Sequence, residues 1–131
     1  MLFASSMHGP SILVVNDDSE VRDLVELAFT MAGFEVWKAR NTEQALELCV
    51  EHPPAAALLD LAMEESEGAA LGQTLRRRFG RTIALVVVGS PEEVAAMPEL
   101  DADVFVPKPF DIDVLLRVTS RLTFDATQPG L

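Results

Sequence analysis

The chain has 131 residues, with 21 Asp plus Glu against 10 Lys plus Arg and a formal net charge of −11. That length predicts one domain, and 49% hydrophobic residues with 24% charged can build a real core, which excludes wholesale disorder. The acidity argues against a general grip on nucleic acid or on an anionic membrane, both of which need clustered Lys and Arg.

The first strand signal is the β-branched run Ile12-Leu13-Val14-Val15, ended by Asn16-Asp17-Asp18-Ser19. Val21, Leu24, Val25, Ala28, Met31 and Ala32 then recur at helical spacing, with Ser19 as the expected cap and Gly33 as the stop. Residues 34–38 alternate as a half-exposed edge strand would. Thr42 starts a second helix through Ala45, Leu46, Leu48 and Cys49, stopped before Pro53-Pro54. Cys49 reads as a small buried residue, and a lone cysteine fits a reducing cytoplasm. Ala55-Ala56-Ala57-Leu58-Leu59 is a third strand running directly into Asp60. Residues 68–79 form a helix with Leu71, Leu75 and Phe79 on one face and Gly80 as its stop. The basic run Arg76-Arg77-Arg78 with Arg81 reads as a solvated helix face.

Ile83-Ala84-Leu85-Val86-Val87-Val88 is apolar throughout, as a strand covered on both faces would be. Residues 91–97 allow only about two helical turns. Val104-Phe105-Val106 is the fifth strand, with Phe105 expected in the core. Asp111 opens a last helix with Ile112, Leu115, Leu116, Thr119 and Leu122 inward. Residues 1–10 and 125–131 read as tails around one domain at 11–124, and His8 and His52 as exposed. No apolar run reaches the ~18–20 residues of a membrane helix, and the opening Met1-Leu2-Phe3-Ala4 lacks a signal-peptide core. A cytoplasmic protein is expected.

Strand–helix alternation implies an α/β fold, a doubly wound parallel sheet of five strands in flavodoxin-like order 2-1-3-4-5 with helices on both faces. Sites in such folds form at the carboxyl ends of the strands. Those ends carry Asn16, Asp17 and Asp18, then Asp60, then Gly89 and Ser90, then Pro107-Lys108-Pro109. Converging carboxylates repel unless a cation neutralises them, and an oxygen-rich site suits Mg²⁺.

Leu58-Leu59-Asp60-Leu61-Ala62-Met63, the stretch Ile12 to Asp17, and Pro107-Lys108-Pro109-Phe110 together resemble the receiver domain of two-component response regulators, over about residues 11–122. The resemblance implies that Asp60 accepts a phosphoryl group from a histidine kinase or histidine phosphotransfer protein. It implies Mg²⁺ held by Asp17, Asp60 and the Ala62 carbonyl, with Asn16 contributing directly or through a water. Lys108 would pair with the phosphoryl oxygens, across a cis bond to Pro109. Phe105 would be an aromatic able to rotate between buried and exposed states. Asp18 reads as a solvated turn residue or helix cap rather than a ligand.

Four departures from the family pattern stand out. Asn16 replaces a carboxylate, which predicts weaker Mg²⁺ binding. Val87 or Val88 stands where the family has a Ser or Thr hydroxyl, with Ser90 as the nearest substitute. The fourth helix is short. Glu64 replaces a common proline, and Glu65 and Glu67 add acid nearby. The chain has no room for an attached output module, unless it is a piece of a larger regulator or hybrid kinase. Output is therefore expected through protein docking at the face of helix 4, strand 5 and helix 5, without direct contact with nucleic acid or membrane. The alternative is an atypical receiver acting as a phosphorylation-independent interaction module. An enzyme is disfavoured: strand one lacks a glycine-rich phosphate loop, and Ala62 sits where a haloacid-dehalogenase-type phosphatase needs a second Asp.

Overall fold

The computed structural model describes residues 9–63 and 67–127, the last four of these through their backbone. His8, Glu64, Glu65 and residues 128–131 lie outside it. In chain order the elements are β1 (Ser11–Val15), α1 (Ser19–Met31), β2 (Glu35–Ala39), α2 (Thr42–Glu51), β3 (Ala56–Asp60), α3 (Glu67–Phe79), a 3₁₀ turn (Gly80–Thr82), β4 (Ala84–Gly89), α4 (Pro91–Ala95), β5 (Val104–Pro107) and α5 (Ile112–Thr127). The five strands pair in parallel in the order β2-β1-β3-β4-β5, as expected.

Alternation along each strand sends successive side chains to opposite faces. Leu13, Val15, Ala57, Leu59, Leu85 and Val87 pack with Ala45 and Cys49 of α2 and with Leu71 and Leu75 of α3. Their neighbours Ile12, Val14, Leu58, Val86 and Val88 pack with Val25 and Phe29 of α1 and Leu115 of α5. Both faces of the central strands are thus covered, which is why β4 reads as one apolar run. Cys49 is fully buried, and burial pushes its thiol up to about 11.

Helix ends follow the chemistry of the residues beside them, with some corrections. Asp18, not Ser19, caps α1: its carboxylate accepts the Glu20 and Val21 amides at 2.9 and 3.3 Å. An anionic cap satisfies two orphan amides and faces the positive helix end. Gly33, at φ +97°, closes the same helix, with the Phe34 amide reaching back to the Phe29 carbonyl at 3.0 Å. Asn41 caps α2 through the Gln44 amide. Helix α3 begins one residue early, at Glu67, and α4 stops at Ala95, shorter than expected. Helix α5 runs to Thr127, past the expected boundary at 124. Phe105 is half-buried at the rim of the core rather than inside it.

The basic run also differs from expectation. Arg76 has only 14% of its side chain exposed and donates to the Asp101, Gly80 and Ile83 carbonyls, besides pairing with Asp103 at 2.9 Å. Arg81 pairs with Asp101 and Asp103 at 2.6 and 3.2 Å. These two arginines tie the end of α3 and the 3₁₀ turn to the segment entering β5.

Candidate functional site

Three strands bring their carboxyl ends to one rim. Asp60 is the last residue of β3, Asn16 follows β1 and Lys108 follows β5. The Lys108 ammonium lies 2.7 Å from Asp60 Oδ1, and the Ala62 amide donates to the same oxygen at 2.8 Å. Asn16 Nδ2 donates to Asp60 Oδ2 at 2.9 Å. Both carboxylate oxygens therefore have donors, and Asp60 is held from three directions. The Lys108–Pro109 peptide is cis, as the resemblance implied, and the Lys108 amide donates to the Gly89 carbonyl at 3.1 Å.

Asn16 is 7% exposed, and its amide orientation is set by its surroundings. Its Oδ1 accepts the Asp18 amide at 2.8 Å, which turns Nδ2 toward Asp60. The Arg22 guanidinium donates to the Asn16 carbonyl at 2.5 Å. Sequence reasoning missed Arg22, although its place one turn into α1, behind the acidic stretch, is the signal that could have found it. Asp17 lines an open cleft with Asn16, Asp60, Ala62, Lys108, Pro109 and Phe110.

Close backbone packing supports this rim. A Cβ on Gly68 would stand 2.3 Å from the Asp60 carbonyl oxygen, so glycine lets α3 approach the end of β3. Glu67 is occupied away from the cleft, accepting the Thr42 hydroxyl at 3.0 Å.

Ser90 has a different task from the one expected. It caps α4, its hydroxyl oxygen accepting the Glu93 amide at 3.1 Å while Glu93 accepts the Ser90 amide at 2.8 Å. The strand register pairs Asp60 with Val88, and Val88 packs its apolar side chain into the α1–α5 side of the core. Glu93 Oε1 also lies 3.7 Å from the Lys108 ammonium, a second residue the sequence reading passed over. The string Ser-Pro-Glu-Glu is a capping-box signature and could have flagged it.

Asp17, Asp60 and Ala62 all line the cleft, and two carboxylates beside it are chemistry that suits a hard divalent cation. Asn16 turns an N–H, not an oxygen, toward Asp60. Among the described residues, no three His, Cys, Asp or Glu side chains group as a metal site by themselves. Asn16→Asp is expected to raise Mg²⁺ affinity by about tenfold, a fraction of the ~4 kcal/mol that one unit charge supplies at 4 Å near a protein surface. Calorimetric titration with Mg²⁺ checks this, and unchanged affinity would contradict it.

Comparison with known proteins agrees with the geometry. Residues 12–120 match the family described as the response regulator receiver domain. The phosphate regulon transcriptional regulatory protein PhoB of Pseudomonas aeruginosa is 32% identical over 108 residues, covering 79% of this chain and 47% of that protein. The regulatory protein AtoC of Escherichia coli is 33% identical over 112 residues, covering 84% of this chain and 24% of that protein. The chain thus spans half or less of the length of these two relatives. The receiver domain of NtrX from Brucella abortus superposes with a TM-score of 0.77 at 27% identity, covering 86% of this chain and 98% of that one. A receiver domain from a Syntrophus aciditrophicus histidine kinase shares the fold, with a TM-score of 0.83 at 24% identity over 94% of this chain and 97% of that one. With strand order, rim chemistry and family match in agreement, this chain belongs to the response regulator receiver domain family.

Proposed function

We propose that Asp60 accepts a phosphoryl group from a phosphohistidine of a sensor kinase or phosphotransfer protein, and that the domain signals by docking. The observation that carries this reading is the Lys108–Asp60 contact of 2.7 Å at the carboxyl ends of the strands. A carboxylate oxygen of Asp60 attacks phosphorus, the P–N bond to imidazole breaks, and an acyl phosphate forms as imidazole leaves. Such transfer needs positioning and charge neutralisation more than covalent assistance. Lys108 supplies one positive charge, while the Ala62 amide and the Asn16 side chain hold the carboxylate in place. Asp17, Asp60 and the Ala62 carbonyl would hold Mg²⁺, which supplies further neutralisation when bound. The domain acts on itself, taking up and losing its own phosphoryl group, rather than turning over a separate substrate.

Output through the face of α4, β5 and α5 is in keeping with a chain of net charge −11, which suits protein partners better than nucleic acid or membrane. Among the described residues no helix is long and apolar enough to cross a membrane. We place the protein in the cytoplasm. A second reading, constitutive docking without phosphorylation, is favoured by one observation: Val88, with no hydroxyl, pairs with Asp60 in the sheet.

Incubation with Mg²⁺ and acetyl phosphate or phosphoramidate, followed by intact-mass measurement, separates the two readings. One phosphoryl adduct is expected, absent in Asp60→Ala. No adduct and no binding of beryllofluoride would overturn the phosphoacceptor reading in favour of the second.

A further inference from the structure

We propose that Glu93 is the positioning residue through which the state of Asp60 reaches α4, a device that rests on the phosphoacceptor reading of Asp60. The Lys108 ammonium is shared unequally, 2.7 Å from Asp60 Oδ1 and 3.7 Å from Glu93 Oε1. The same Glu93 oxygen accepts the Ser90 amide at 2.8 Å, and the Glu93 amide donates to the Ser90 hydroxyl at 3.1 Å. A continuous side-chain route thus runs from Asp60 through Lys108 and Glu93 to the capping box of α4. Val88, beside Asp60 in the register, offers no hydroxyl for a route along β4.

The direction follows from charge. A phosphoryl group on Asp60 adds negative charge and acceptor oxygens, and it draws the Lys108 ammonium away from Glu93. Glu93 then loses its cation and faces a nearby anion, and both changes push it out of the cap. The Ser90 amide thereby loses its side-chain acceptor, and the capping box keeps only the bond from the Glu93 amide to the Ser90 hydroxyl. Helix α4 has only five residues, so losing half of its capping box is felt over most of the element. Glu93 and Lys108 side chains are 33% and 28% exposed, which sets the effect at the scale of a partly solvated ion pair.

The experiment reads the Ser90 and Glu93 amides by NMR, together with hydrogen exchange at Val94 and Ala96. Glu93→Gln keeps an oxygen for the Ser90 amide and removes the charge, so the fold and the cap survive. In the unphosphorylated protein, Lys108→Met is expected to change exchange in α4 by about two- to fivefold. The same change made on a Glu93→Gln background has no further effect. Beryllofluoride is expected to shift the α4 amides in the wild type and to leave them largely unmoved in Glu93→Gln, which still binds it. Additive effects of the two substitutions, or an equal α4 response in Glu93→Gln, overturn the proposal while beryllofluoride binding stands. Failure of beryllofluoride to bind, with the Lys108–Glu93 coupling intact, instead overturns the phosphoacceptor reading and with it this use of the route.

Discussion

Gly68→Ala is expected to destabilise the domain by about 3 kcal/mol and to depress phosphoryl uptake at Asp60 with it. The added Cβ would stand 2.3 Å from the Asp60 carbonyl oxygen, 3.1 Å from its carbon and 3.5 Å from the Leu61 Cα. All three are backbone atoms, so no side chain can swing aside. Either α3 retreats or the end of β3 bends, and the end of β3 carries Asp60. Gly72 on the same helix is the control: a Cβ there meets the tips of Leu100 and Leu59 at 2.8 and 3.3 Å. Those tips can turn, and alanine also recovers about 1 kcal/mol of helix propensity. Gly72→Ala should therefore unfold within about 1 kcal/mol of wild type. Urea denaturation of both variants tests this, and equal midpoints would refute the backbone argument.

The second large effect is expected at Arg76. Its guanidinium donates to the Asp101 carbonyl through Nε and Nη2 at 2.9 and 2.6 Å, to the Gly80 carbonyl at 2.9 Å and to Asp103 at 2.9 Å. Arg76→Ala removes these donors and leaves the Asp103 carboxylate without the less exposed of its two arginine partners, a loss of about 3 kcal/mol. Arg77 and Arg78, on the same run, should each cost less than about 0.5 kcal/mol when changed to alanine. Asp103 adds a pH signature. Burial by itself would raise its carboxyl, but the Leu85 amide and then Arg76 and Arg81 outweigh that and hold it below the ordinary 3.8. A lowered folded value means the stabilisation is present above the unfolded value and is lost as pH falls through the folded one. Thermal unfolding between pH 5 and 2.5 should show this loss in wild type and less of it in Asp103→Asn.

These residues also mark where the sequence was legible and where it was not. Strand positions, strand order and the convergence of Asp60, Lys108 and Asn16 could be read ahead because apolar runs and polar strand ends are local signals. Asp18 and Ser19 are both good caps, and only backbone geometry decides between them. Arg76 read as surface because its partners, Asp101 and Asp103, lie about 25 residues away across a sheet edge. Ser90 was considered for the site because proximity in sequence ranks hydroxyls by position, whereas the capping box assigns this one to α4. Glu93 and Arg22 escaped notice for the complementary reason: each reaches the rim from a helix rather than from a strand end. Helix α5 runs on past 124 because no glycine or proline stops it before Pro129.

Cys49 carries a consequence for chemistry in solution. Fully buried, with its thiol pushed up to about 11, it exposes neither the sulfur nor the thiolate that oxidants and alkylating reagents attack. At pH 7 only about one molecule in 10⁴ would hold the thiolate even if reagent could reach it. Modification must therefore wait for α2 to lift from the sheet, so the rate of alkylation clocks how often this domain opens.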